Sequence, residues 1–88
     1  FCTRTRRLAL ERVEKVRELL LADLENPPSL EELARTCGCH PQYLSRQFSE
    51  TTGTTISLML RRLRIERAAE LLASGRMNVS EAALEVGY

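Results

Sequence analysis

Leu30, Leu33, Ala34 and Cys37 place apolar side chains at i, i+3, i+4 and i+7, the period of one helix face. Ser29 stands before this stripe as an N-cap, and Glu32 occupies the position that closes a capping box. Gly38 falls just past the stripe, where a left-handed C-terminal residue is wanted. Pro41 suits the first position of a following helix. Leu44 and Phe48, one turn apart, mark that helix's inner side. The stretch 29–48 therefore predicts a helix, a turn of about three residues and a second helix, the construction of a helix-turn-helix unit.

On either side the pattern continues as helix. From about Leu8 to Leu24 the residues Val13, Val16, Leu20 and Leu24, helped by Leu19, form one buried face. Asn26-Pro27-Pro28 stops this helix, because a residue before proline avoids the helical region. Residues 1–7 carry Arg4, Arg6 and Arg7 without an apolar period and read as a linker from a missing upstream domain, with a DNA-touching arm as the alternative. Gly53 and its threonine neighbours break the pattern downstream. A long helix then runs from about Ile56 to Ser74 and has two apolar sides. Ile56, Met59, Leu60 and Leu63 fall on one, and Ile65, Ala68, Ala69 and Leu72 near the other. A helix apolar on two sides is expected to be clamped between two bodies.

The second body comes from a repeat. Asn78, Val79, Glu81, Ala82, Ala83, Val86 and Gly87 reproduce Ser29, Leu30, Glu32, Leu33, Ala34, Cys37 and Gly38 in order and spacing. The same offset lays Val16, Leu19, Leu20 and Leu24 over Ile65, Ala68, Ala69 and Ala73, so the second half of the long helix plays the role of the first helix. The predicted fold is all-α: a first helix-turn-helix unit over about 8–53, a linker helix over about 55–74, and an incomplete second unit over about 75–88. The repeat reaches only Tyr88, the counterpart of Cys39. With no counterpart of the 41–48 helix, the stripe of Val79, Ala82, Ala83 and Val86 is expected to lack its cover. Residues 77–88 should then fray or associate with a neighbouring copy.

Composition narrows the function. The 88 residues contain no Trp and carry a net charge of +1. No apolar run approaches the roughly 20 residues of a membrane span. Charge is segregated: residues 11–36 hold four basic and seven acidic side chains, whereas 40–67 hold five Arg and two Glu. The positive part coincides with the second helix of the unit and the segment after it. The outer face of that helix, Gln42, Ser45, Arg46 and Ser49, is polar and able to donate and accept. Such a helix can lie in the DNA major groove, where Arg forks onto guanine, Gln onto adenine and Ser onto either kind of edge. Nothing points to an enzyme: His40 is the sole histidine and serves as a helix start. Cys37-x-Cys39-His40 is a poor spacing for a closed zinc site, so Cys37 and Cys39 are expected to be substantially buried, metal-free packing residues. No cofactor is implied, and three cysteines suit a reducing cytoplasm.

Two such units on one long helix resemble the DNA-binding domain of AraC/XylS-type bacterial transcription regulators. The likeness rests on Ser29 to Ala34, Tyr43 to Phe48, Glu50 to Gly53, Arg61 to Ala68, Leu71-Leu72 and Val86 to Tyr88. It departs at Ile56, Met59 and His40, where the family often has Pro, Tyr and a small cap. The resemblance implies that helix 41–51 enters the major groove of double-stranded DNA, with Gln42, Ser45 and Arg46 at base edges. Arg46 could bind a phosphate instead. Helix starts, whose free amides suit phosphate, add expected phosphate contacts at Ser29 or Leu30 and at Thr54 or Thr55, with Ser49 beside them, although capping alone would explain the hydroxyls. The resemblance further implies an effector bound by an upstream domain and room for RNA polymerase as a partner. The competing reading is a helical protein-interaction module, whose DNA affinity would be weak and indifferent to the outer face of residues 42–49.

Overall fold

In the computed structural model, residues 3–87 are described, and they form five helices and no strand. These are α1 (Thr3–Ala22), α2 (Leu30–Cys37), α3 (Pro41–Thr52), α4 (Ile56–Ala73) and α5 (Val79–Glu85). The α1 helix begins at Thr3 rather than near Leu8, and it takes in most of the stretch expected to be a linker. No glycine or proline interrupts residues 3–22, and Ala9 adds one more buried position ahead of Val13 and Val16. The helix also stops at Ala22, before the prolines. Asp23 ends it: its carboxylate accepts from the Asn26 amide at 3.0 Å, a local turn that competes with helical bonding.

One core holds the first unit together. Val16 and Leu20 of α1, Leu33 and Ala34 of α2, Leu44 and Phe48 of α3 and Leu63 of α4 are buried in a single cluster. Val13, Leu19, Leu24, Ile56, Met59 and Leu60 pack around them, so these apolar positions predicted for α1 and the first half of α4 meet as expected. Complete burial of each large side chain is worth about 1.5–3 kcal/mol.

The repeat is structural as well as sequential. Ser29 and Glu32 form a capping box on α2, and Asn78 and Glu81 form the same box on α5. Gly38 and Gly87 both adopt positive φ, 72° and 92°. The second apolar side of α4 behaves differently from expectation. Arg64, Ala68 and Leu71 are its half-buried residues, whereas Ala69 and Leu72 are exposed and Ile65 is 56% exposed. The α5 helix packs on α4, and with only 7 residues it covers a narrower strip than the repeat predicted.

The α5 stripe also divides. Ala82 and Val86 are 1% exposed, while Val79 is 73% exposed. The expectation that this stripe would lie uncovered within the chain is therefore corrected for Ala82 and Val86, and it holds for Val79. The small side chains of the pair let α5 seat closely, and Gly87 finishes the seating. A Cβ on Gly87 would lie 3.0 Å from both the Glu25 Cα and the Leu24 carbonyl oxygen. Arg64 reaches the same carbonyl, its Nε donating at 2.9 Å. The turn just after α1, at Leu24 and Glu25, is thus the anchor of the second unit. Tyr88, also expected on that surface, lies outside the described residues, as do Phe1 and Cys2.

Gly87→Ala combines that clash with a φ that alanine resists, and should destabilise the α5 seating by about 1 kcal/mol or more. Amide hydrogen exchange checks this. Protection should fall across residues 79–86 and persist in α1, α2 and α3.

Candidate nucleic-acid interface

The turn between α2 and α3 is closed by backbone alone. The Gly38 amide donates to the Arg35 carbonyl at 3.2 Å and the Cys39 amide to the Ala34 carbonyl at 3.0 Å. This pair of bonds needs a left-handed residue between them, which Gly38 supplies. His40 then caps α3, its Nδ1 accepting from the Gln42 amide at 3.2 Å, and Pro41 fills the first helical position. With both ends fixed and with Leu44 and Phe48 in the core, one face of α3 is held outward.

A polar contact sets the roll of that helix. Gln47 is the buried polar residue of the described chain, 9% exposed. Its Oε1 accepts from Arg12 Nη1 of α1 at 3.0 Å, and its Nε2 donates to the Tyr43 hydroxyl at 3.3 Å. The Arg12 guanidinium also lies 5.6 Å from the Tyr43 ring centroid, within cation–π range. Apolar periodicity does not announce this network. A signal for it is nevertheless present, because Gln47 stands three residues from Leu44 on the inner face, and Arg12 one turn before Val16.

The outward residues spread over an arc. Gln42 and Arg46 are exposed, and Ser45 and Ser49 are half-buried. At 100° per residue, Gln42 lies between Ser45 and Arg46 on the helix wheel. Arg46 borders a groove of about 720 Å³ between α3 and the start of α1, with Arg6, Tyr43 and Glu50 among its other walls. Ser45 borders a smaller groove of about 200 Å³ on the other flank, shared with Leu30, Thr55 and Ile56. The three expected base readers therefore cover the crest of α3 and both shoulders.

The expected phosphate sites differ in quality. The Ser29 hydroxyl accepts from the Glu32 amide at 3.2 Å, and Glu31 and Glu32 both sit in the first turn of α2. Two carboxylates there oppose a phosphate. The Thr55 hydroxyl accepts from the Leu58 amide at 3.1 Å, and the first turn of α4 has no acid. The positive end of α4 is the more receptive of the two. Thr54 is tied into the turn, its amide donating to Thr52 Oγ1 at 3.2 Å.

Other charges have structural partners. Arg62 pairs with Glu66 at 3.3 Å and Arg67 with Glu70 at 3.2 Å, and both pairs are exposed and worth about 0–1 kcal/mol at most. Cys37 and Cys39 are half-buried and pack against the core cluster. Burial pushes the Cys37 thiol up, with Cys39 adding to it, while Arg12 and Lys15 pull it down. Among the described residues no three His, Cys, Asp or Glu side chains converge where an ion could sit. No helix among them is long and apolar enough to cross a membrane.

A family model described as a helix-turn-helix domain matches residues 33–88. The HTH-type transcriptional activator RhaR of Escherichia coli (strain K12) is 32% identical over 76 residues, covering 86% of this chain and 27% of that protein. RhaR of Shigella flexneri serotype 5b gives the same figures. The chain thus spans about a quarter of the length of these curated relatives. No solved structure matches it.

Removing the Gln47 side chain strands Arg12 and should cost about 1–3 kcal/mol. A double-mutant cycle of Gln47→Ala with Arg12→Ala, read by urea unfolding, should give a coupling of at least about 0.5 kcal/mol. The Cys37 thiol holds its proton more tightly folded than unfolded. The stability this contributes is complete below the ordinary value of 9.0 and fades as pH rises through the higher folded value. Unfolding free energy should therefore decline in the native chain as pH rises above 9.0, and the decline should shrink in Cys37→Ala.

Proposed function

This chain belongs to the AraC-type helix-turn-helix family, and from that membership we propose that it is the DNA-reading part of a sequence-specific transcription regulator. In this reading α3 lies in the major groove of double-stranded DNA. Gln42 meets bases at the crest, with Arg46 on one shoulder and Ser45 on the other. Arg46 carries the most affinity, because a bidentate guanidinium contact to guanine is worth about 1–3 kcal/mol of discrimination. The first turn of α4, capped by Thr55, holds a phosphate beside the Ser45 shoulder. Ser29 and Leu30 stand on the same flank, with the α2 carboxylates limiting their part. Ser49 and Thr54 complete the proposed phosphate set at the far end of α3.

The observation that carries this reading is the outward, exposed presentation of Gln42 and Arg46 on a helix whose ends and roll are fixed from within. A surface built only for solubility needs no such restraint. The role is binding rather than catalysis. It requires no cofactor and places the chain with the bacterial nucleoid in the cytoplasm. Effector sensing and contact with RNA polymerase belong to the whole regulator; the matched stretch is 27% of the relative's length.

Selection from a randomised duplex library tests the proposal. The chain should enrich a defined sequence. Arg46→Ala should then weaken binding to the selected duplex by about 1–3 kcal/mol and relax the preference at one position. An unchanged affinity in a folded variant would remove Arg46 from the readers. Weak binding without enrichment would favour a protein-interaction role.

A further inference from the structure

Taking as its basis the proposed insertion of α3, we infer that Arg6, near the start of α1, grips a backbone phosphate on the strand opposite the one served by the start of α4. The major groove is about 12 Å wide, and a helix with its side chains fills about 10–12 Å. A helix lying there therefore has one sugar-phosphate backbone on each side. The elements flanking α3 determine what each backbone meets. On the Ser45 flank stand Thr55 and Ile56 at the start of α4. On the Arg46 flank stands α1, and Arg6 is the α1 cation that borders the same groove as Arg46. The two strands are thus met by different chemistry, backbone amides on one side and a guanidinium on the other.

The neighbouring arginine shows that this placement is selective. Arg7 follows Arg6 in sequence, yet it faces a different surface, which it shares with Lys15, Glu11, Glu14 and Glu18. Three carboxylates there outnumber the two cations. Arg6 shares its groove with a single acid, Glu50. Arg6 is exposed and joins neither of the two ion pairs of the described residues. Arg12, the next cation along α1 toward α3, is already engaged by Gln47 and Tyr43. The early start of α1 acquires a purpose here. Without the helical turn that begins at Thr3, Arg6 would not be held beside α3.

Salt dependence separates this from a general charge effect. Binding of the chain to its selected duplex and to a scrambled one would be followed from roughly 50 to 200 mM salt. Arg6→Gln should make the slope of log K against log salt shallower by about 0.9, the value of one phosphate contact. It should weaken both duplexes alike and keep their ratio. Arg7→Gln should leave the slope at its native value. A native slope in Arg6→Gln, with the native chain still preferring its selected duplex, overturns the inference alone. So does an equal change in Arg7→Gln. A native chain that prefers no duplex overturns the groove reading first, and the inference falls with it.

Discussion

The burial of Leu44 and Phe48 against α1, α2 and α4 governs the remainder of the molecule. Those two side chains, 1% exposed each, are the inner edge of a 12-residue helix. Their engagement decides which residues of α3 meet solvent. Leu33 and Ala34 from α2 and Val16 and Leu20 from α1 close the same cluster. Apolar burial is non-directional, however, and would tolerate some rolling of α3 about its axis. The Arg12–Gln47–Tyr43 network adds the missing direction. Hydrogen bonds weaken steeply with angle, so a helix held by both kinds of contact has little freedom to turn.

Much of this was legible in the sequence. Caps, stripes and glycines placed four of the five helices within a few residues, and the internal repeat anticipated the second capping box at Asn78 and Glu81. Helix ends were less legible where a side chain, rather than a proline or glycine, decided them, as Asp23 does at the end of α1. The cover of α4 was misjudged for a related reason. Periodicity says which side of a helix is apolar, but not how wide a partner will sit on it. The Ile65 and Leu72 side therefore reads as buried in the pattern and is exposed in space.

The candidate surface was legible by residue but not by arrangement. Gln42, Ser45 and Arg46 are all on the outer arc of α3, as their spacing required. That Ser45 and Arg46 open onto opposite flanks depends on what α1 and α4 place there, and such long-range neighbours leave no local trace. The same holds for charge. A net value of +1 says little about a partner, because Arg62, Arg67 and Arg7 all stand near carboxylates while Arg6 and Arg46 share one groove with a single acid.

The division of α3 into Leu44, Gln47 and Phe48 inside and Gln42 and Arg46 outside bears on how such a protein changes over evolutionary time. Substitutions at exposed positions away from caps and cores usually alter stability by no more than about 0.5 kcal/mol. Gln42 and Arg46 can therefore drift through many alternatives while the fold selects strongly on the intervening residues. In the proposed reading, a lineage of duplicated copies would diverge in target sequence first and in architecture last. One scaffold would then serve many promoters, with new regulatory wiring arising from changes at a few solvent-facing codons.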